Sequence, residues 1–400
     1  MKKLFLLMTM SLLLLVSACK LTQDGKMMAE PSELTTLEEE SQPKAAWSAV
    51  GSSFGYSAAG SLSMAVYNGI PYVAYSDYSS SLKLTVKSYS GGAWIGGSVS
   101  TNEAYNVSMA IYDAAGTANP YVVYRELSNA SGPTFKPVVK MYDGLTWSNV
   151  GNISLLLGTN VPFDWSPQIA VYDNNGVAVP FVVAKDRVMY YNGGSWVYLG
   201  SAIPGPTVVS PKIGVYDDNG TPVPYIAYHD TSAPNPDQIT VVKYDYTTSA
   251  WVFVGGRGFT YNGSAIDTVG NTAFYLTAAG TPYVFFYYNN SGVANVKMFN
   301  GSSWTNVGTI GVGTVYHTSI TVDEVTNNVY VSYQDPLSSG GLKVMKYNNA
   351  TSTWSNLNAY TSTTTTGWVN FTNACFSNSA LYIGYEDNDT AEADYVIKYQ

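Results

Sequence analysis

Apolar residues fall along this chain in short consecutive runs, without the i, i+3, i+4 spacing of a helix. The clearest are Tyr72-Val73-Ala74-Tyr75, Tyr121-Val122-Val123-Tyr124, Phe181-Val182-Val183, Tyr225-Ile226-Ala227-Tyr228 and Tyr283-Val284-Phe285-Phe286, each opened by a proline. Val329-Tyr330-Val331-Ser332-Tyr333 and Leu381-Tyr382-Ile383-Gly384-Tyr385 repeat the run without it. Apolar residues at successive positions predict strands buried on both faces, and proline at a first strand position leaves the hydrogen-bond ladder intact. Before several runs stands another strand ending in Tyr-Asp, as in Tyr112-Asp113, Tyr172-Asp173 and Tyr216-Asp217, and then a glycine-containing turn. After each run a third strand ends in an aromatic residue and a hairpin signal such as Tyr142-Asp143-Gly144 or Phe299-Asn300-Gly301. A strand led by tryptophan follows.

Those tryptophans stand at 47, 94, 147, 196, 251, 304 and 354, a spacing of 47 to 55 residues. Four strands in a period near 50 predict the blades of a β-propeller. Counted from the first strand, the units lie near 60–99, 105–151, 166–200, 210–256, 265–309, 316–358 and 368–400. The last unit has no tryptophan strand, and Trp47-Ser48-Ala49-Val50-Gly51 is a tryptophan strand without a unit. Pairing the two removes two open sheet edges. The expected fold is therefore all-β, a seven-bladed propeller of four-stranded antiparallel blades over residues 45–400, closed by residues 46–51. The third-strand, Asp/Asn-Gly, Trp hairpin resembles that of kelch-type repeats, although Tyr-x-Asp (Tyr75-Ser76-Asp77) stands where kelch repeats carry Gly-Gly.

Composition narrows the setting. Charged residues make up 12% of the chain and the formal net charge is −9, which disfavours a nucleic-acid partner. Lys2-Lys3 and the apolar stretch from Leu4 to Val16 predict a signal segment over 1–18. Its end, Val16-Ser17-Ala18-Cys19, resembles the lipobox of bacterial lipoproteins. That resemblance implies cleavage before Cys19, lipidation of its sulfur, and display on the cell envelope, at the outer membrane or cell surface. Residues 19–44, with Glu38-Glu39-Glu40 and two prolines, are expected to form a flexible tether. Cys375, the second of two cysteines, has no disulfide partner once Cys19 is lipidated, and its apolar run predicts an inert buried thiol.

Candidate chemistry concentrates where the second strands end. Asp77, Glu126, Asp186, Asp230, Asp335 and Asp387 recur there, with Asn289 in the fifth unit. They are read as caps of their own turns, with a Ca²⁺ rim as the weaker alternative. The chain has three arginines. Arg125 and Arg187 follow second strands and Arg257 follows a fourth strand, which places all three on the same face. An arginine trio there resembles the carboxylate clamp of sialidases, but the Ser-x-Asp-x-Gly-x-Thr-Trp box of that family is absent. His229 adjoins Asp230, and His317 opens a first strand. No clustered Cys/His spacing supports zinc, and no Gly-x-Ser-x-Gly elbow supports a hydrolase triad. Trp165 and Trp368 lie outside the repeat set, each just before a first strand, where a sugar ring or a partner protein would stack.

The sequence thus points to a monomeric, envelope-anchored binding protein with no catalytic residue assigned and no cofactor. Its ligand is a glycan or a protein on the face bearing Trp165, Trp368, Arg125, Arg187, Arg257, His229 and Asp230. The alternatives are a sialidase-like glycoside hydrolase and a scaffold in an envelope assembly complex.

Overall fold

The computed structural model describes residues 46–400 apart from 130–133, 158–165, 206–207, 233–236, 265–266, 358–367 and 389–392, and omits the side chains of 58–61 and 129. The signal segment, Cys19, the tether and Trp165 lie outside the described residues. The chain begins with β1 (Trp47–Ala49), β2 (Ser57–Tyr67), β3 (Ile70–Asp77), β4 (Lys83–Ser90), β5 (Ala93–Ala114), β6 (Thr117–Asn129), β7 (Thr134–Tyr142) and β8 (Trp147–Asn149). After these come β9 (Gln168–Asn174), β10 (Val177–Ala184), β11 (Arg187–Tyr191), β12 (Trp196–Tyr198), β13 (Val208–Asp218), β14 (Thr221–Asp230), β15 (Gln238–Asp245) and β16 (Ala250–Phe253). The remainder are β17 (Val269–Leu276), β18 (Pro282–Tyr288), β19 (Ala294–Phe299), β20 (Trp304–Asn306), β21 (Tyr316–Asp323), β22 (Asn328–Asp335), β23 (Gly341–Asn348), β24 (Thr353–Asn356), β25 (Val369–Ser377), β26 (Ala380–Asp387) and β27 (Ala393–Tyr399).

These strands form antiparallel, mostly four-stranded sheets, as the apolar runs and hairpin signals predict. One sheet departs from the expected separation. In it β2 to β8 are continuous, because β5 pairs with β4 through residues 93–98 and with β6 through 104–114. No glycine or proline interrupts Ser98-Val99-Ser100-Thr101-Asn102-Glu103. The Ser100 hydroxyl accepts from the Leu84 amide at 2.8 Å, and Glu103 still lies opposite Lys83, so the backbone runs on.

The first strands pack in chain order: β2 on β5, then β9, β13, β17, β21 and β25, and β25 returns to pack on β2. Apolar clusters fill the spaces between successive sheets. Val50, Phe54, Leu62, Met64, Tyr75, Tyr382 and Val396 make the cluster where the two ends of the chain meet. There β1 pairs antiparallel with β27, Trp47 opposite Tyr399 and Ala49 opposite Ile397, in a propeller-like sheet of order β1-β27-β26-β25.

Two sequence repeats turn out to be clasps between sheets. The Trp-x-x-Val-Gly strand lends its indole N–H to the preceding sheet. Trp196 donates to Val150 O, Trp304 to Val254 O and Trp354 to Val307 O, each at 2.7 Å. Trp47 donates likewise to Leu357 O at 2.8 Å. The glycine after the valine takes φ between +58° and +73° at Gly51, Gly151, Gly200, Gly255 and Gly308, and the next sheet's rings lie on it. A Cβ at Gly255 would stand 2.6 Å from Trp304 Cδ1. Gly255→Ala therefore combines a left-handed backbone with a clash, and is expected to lower stability by about 1–3 kcal/mol in urea unfolding. An unchanged midpoint would mean that the clasp is slack.

The second clasp is the Tyr-Asp pair. Tyr67 donates to Asp113 across the seven-stranded sheet at 2.8 Å, and Tyr112 to Asp173 and Tyr172 to Asp217 in the following sheet at 3.2 and 3.1 Å. Each of these aspartates also caps its own turn, accepting from Gly116, Gly176 or Gly220 N–H.

Candidate functional site: a polar cavity lined by the first strands

A cavity of about 440 Å³ is lined by the first strands of successive sheets, from Leu62 on β2 round to Asn373 on β25. Its polar wall includes Ser63, Asn106 and Gln168 on one side and Lys212, Asn271, Thr272 and His317 on the other. Asn106, Asn271, Thr272 and His317 reach this wall from a β-bulge that recurs in several of the strands. In β5, Asn106 and Val107 together face the single residue Tyr124. Ser210 and Pro211 face Tyr228, Asn271 and Thr272 face Phe286, His317 and Thr318 face Tyr333, and Phe371 and Thr372 face Tyr385. Each opposing ring is buried. The first bulge residue is left-handed at Asn106, Ser210, His317 and Phe371, with φ of 47° to 52°. For His and Phe that conformation is costly, and it persists only where surrounding structure enforces it. Bulges of this kind re-aim side chains, and they gather next to binding and active sites.

Hydrogen bonds set the wall. Asn106 donates to Ser166 Oγ at 2.7 Å and accepts from Arg125 Nε at 3.1 Å. His229 Nε2 is 2.6 Å from Thr272 Oγ1. The His317 ring meets Phe371 edge-on at 4.8 Å, and the Thr372 hydroxyl donates to the His317 carbonyl. Burial pushes the His229 imidazole down to about 4; Asp237 opposes that shift and Lys212 adds to it. Burial also lowers His317. Both rings are therefore neutral near pH 7. Besides His317, Lys212 is the basic side chain of the cavity wall among the described residues, and desolvation pushes its ammonium below the ordinary value. No carboxylate lines the cavity among the described residues.

The residues singled out in the sequence divide into those that back this wall and those that do not. Arg125 is fully buried; it holds Asn106 and lies over the Phe135 ring at 4.8 Å. His229 holds Thr272. Arg257 instead grips Asp230 with two bonds, Nε to Oδ2 at 2.5 Å and Nη2 to Oδ1 at 2.9 Å. Burial works against the charged Asp230, but Arg257 and Ser232 hold its carboxyl below the usual range. Arg187 lies over the Tyr198 ring at 5.3 Å. Trp368 is exposed and packs against Gly340. In the acidic series, Asp77, Asp230 and Asp335 accept from the amide two residues on, as turn caps do. Glu126 pairs with Lys136 at 3.0 Å.

Sequence reasoning missed Lys212, Asn271 and Thr272. A usable signal was present: an aromatic residue near the end of the second strand (Tyr124, Tyr228, Phe286, Tyr333, Tyr385) marks the residue opposite the bulge. In the β9–β12 sheet Ala184 holds that place, and β9 pairs with β10 without a register shift over its described length.

No family model matches the chain, and no curated protein matches it. Among solved structures, a polysaccharide lyase of family PL25, an ulvan lyase, is similar at TM-score 0.56 and 12% identity, over 86% of this chain and 94% of that one. The fucose-recognising, six-bladed lectin of Aleuria aurantia gives 0.47 at 16% identity, covering 74% and 94%. A Trypanosoma rangeli sialidase gives 0.47 at 10% identity over 86% of this chain, and the chain spans only 55% of the sialidase's length. At such identities the ulvan lyase likeness speaks for the fold alone.

Proposed function

We propose that this chain is a glycan-binding protein whose ligand enters the cavity lined by the bulged first strands. The observation that carries the reading is the repetition of the bulge, which brings Asn106, Asn271, Thr272 and His317 to one cavity, with a left-handed backbone at Asn106 and His317. Neutral amides and hydroxyls on a rigid frame suit sugar hydroxyls. Hydrolysis by the usual pair of carboxylates has no donors in this lining. Solved structures with similar strand arrangements include a polysaccharide lyase and a fucose-binding lectin, which fits a saccharide ligand. We read β5 as supplying one strand to each of two blades, so that the first strands count seven and the fold is a seven-bladed propeller. The lipobox-like Cys19 supports display of this domain on the envelope.

The test is glycan-array binding by the full chain, repeated with Asn271→Trp, which fills the cavity from an exposed position. Binding is expected to fall at least about tenfold with an unchanged melting temperature. Undiminished binding by Asn271→Trp, together with loss in Trp368→Ala, would move the site to the rim and overturn the proposal.

A further inference from the structure

We propose that the cavity selects an acidic saccharide, seating its carboxylate or sulfate on Lys212. This rests on the reading of the cavity as a glycan site and adds the ligand's charge. Lys212 lies at the wall of the cavity beside the bulge of β13, half-buried, with no hydrogen bond or ion pair among the described residues. Several other basic side chains of the domain are engaged. Arg257 has Asp230, Lys136 has Glu126 and Lys87 bonds the Phe54 carbonyl. Lys243, Lys346 and Lys398 lie over the rings of Tyr225, Tyr330 and Tyr382 at 5.6 to 5.9 Å.

A half-desolvated ammonium without a counter-charge is unfavourable in the free protein, and an incoming anion relieves it. The surroundings fit that role. The histidines facing it, His229 beside β13 and His317 on β21, are held neutral by burial, so no second cation competes for the anion. Asp237, the carboxylate acting on His229, is outside the cavity lining. Asn271 and Thr272 stand on the neighbouring strand to receive the ring hydroxyls. In a chain of net charge −9, a cavity wall with one cation and no acid runs against the overall electrostatics, which is what selection for an anion requires.

Titration calorimetry of the full chain with digalacturonate, galactose 6-sulfate, digalactose and inorganic phosphate distinguishes the alternatives. The acidic sugars are expected to bind at least about tenfold tighter than digalactose, and more weakly as NaCl rises. Lys212→Met should abolish that preference while keeping or raising the melting temperature, because it removes an unpaired charge; Lys212→Arg should retain part of it. Equal binding of digalactose, unaffected by Lys212→Met but blocked by Asn271→Trp, would overturn the acidic selectivity and leave the glycan site standing. Binding of phosphate as tight as that of digalacturonate would overturn the saccharide component. No binding of any sugar, with Asn271→Trp silent, would overturn both readings.

Discussion

Deleting residues 46–51 is expected to lower the thermal midpoint of the domain by about 10 °C, from a loss on the order of 5 kcal/mol. The segment contributes more than three ladder residues. Trp47 packs on Tyr399 with ring centroids 5.2 Å apart, and its indole crosses to the Leu357 carbonyl of the preceding sheet. Val50 is buried in the cluster that joins the two ends of the chain, and its amide donates to Val396 O at 2.9 Å. Removal opens β27 as an edge and empties part of that cluster at once. In a ring each sheet is held from two sides, so a break at this seam frees both flanking sheets. A deletion of 22–42, outside the described residues, is the control and should leave the midpoint in place. Equal midpoints for the two deletions, measured by calorimetry, would sink the idea that this strand closes the ring.

The same seam is expected to weaken as pH rises from 5 to 9. Ser57 bridges two buried carboxyl groups: its hydroxyl lies 2.7 Å from Asp394 Oδ1 and 3.4 Å from Glu386 Oε2. Asp394 is fully buried, and its Oδ2 has no hydrogen-bond partner among the described residues. Asp77 and the Tyr75 ring lie near it, and Lys87 is committed to the Phe54 carbonyl at 2.7 Å. Burial pushes Asp394 up to about 8 and Glu386 up to about 7, with the Glu386 charge adding to the Asp394 shift. Both values lie above those of the unfolded chain, so the folded state holds the extra protons. That contribution to stability is complete below the unfolded carboxyl range, near pH 4, and is lost as pH climbs through 7 and 8. Asp230 and Asp267, whose values are depressed, lose their contribution only as pH falls below that window. The contribution of this carboxyl pair should therefore decline between pH 5 and pH 9, while the lowered His229, His317 and Lys212 contribute in the opposite direction. Asp394→Asn, which keeps an acceptor for Ser57 without a titrating proton, should flatten the decline and raise the midpoint at pH 9. An Asp394→Asn midpoint that runs parallel to the wild type from pH 5 to pH 9 would refute the account.

Features whose physics is local can be read from the residues alone. Consecutive apolar residues opened by proline specify strands buried on both faces, and Asp-Gly or Asn-Gly specifies the hairpins. The 50-residue tryptophan spacing marks the units, and the unmatched Trp47 strand points to its partner at the end of the chain. Even the double duty of the Tyr-Asp pairs was half visible, because an aspartate three residues before a glycine caps its own turn.

What crosses from one strand or sheet to another depends on pairing between distant residues. A bulge exists when two residues oppose one, so Asn106, Asn271 and His317 acquire their inward aim from pairing with β6, β18 and β22. Arg125, Arg187 and Arg257 look alike as surface cations in the sequence. The fold buries the first behind Asn106, lays the second on Tyr198 and locks the third to Asp230. Lys212 reads as one polar residue beside a proline. Its significance comes from which charges the fold brings near it and which it keeps away, and side-chain identity does not encode that distance.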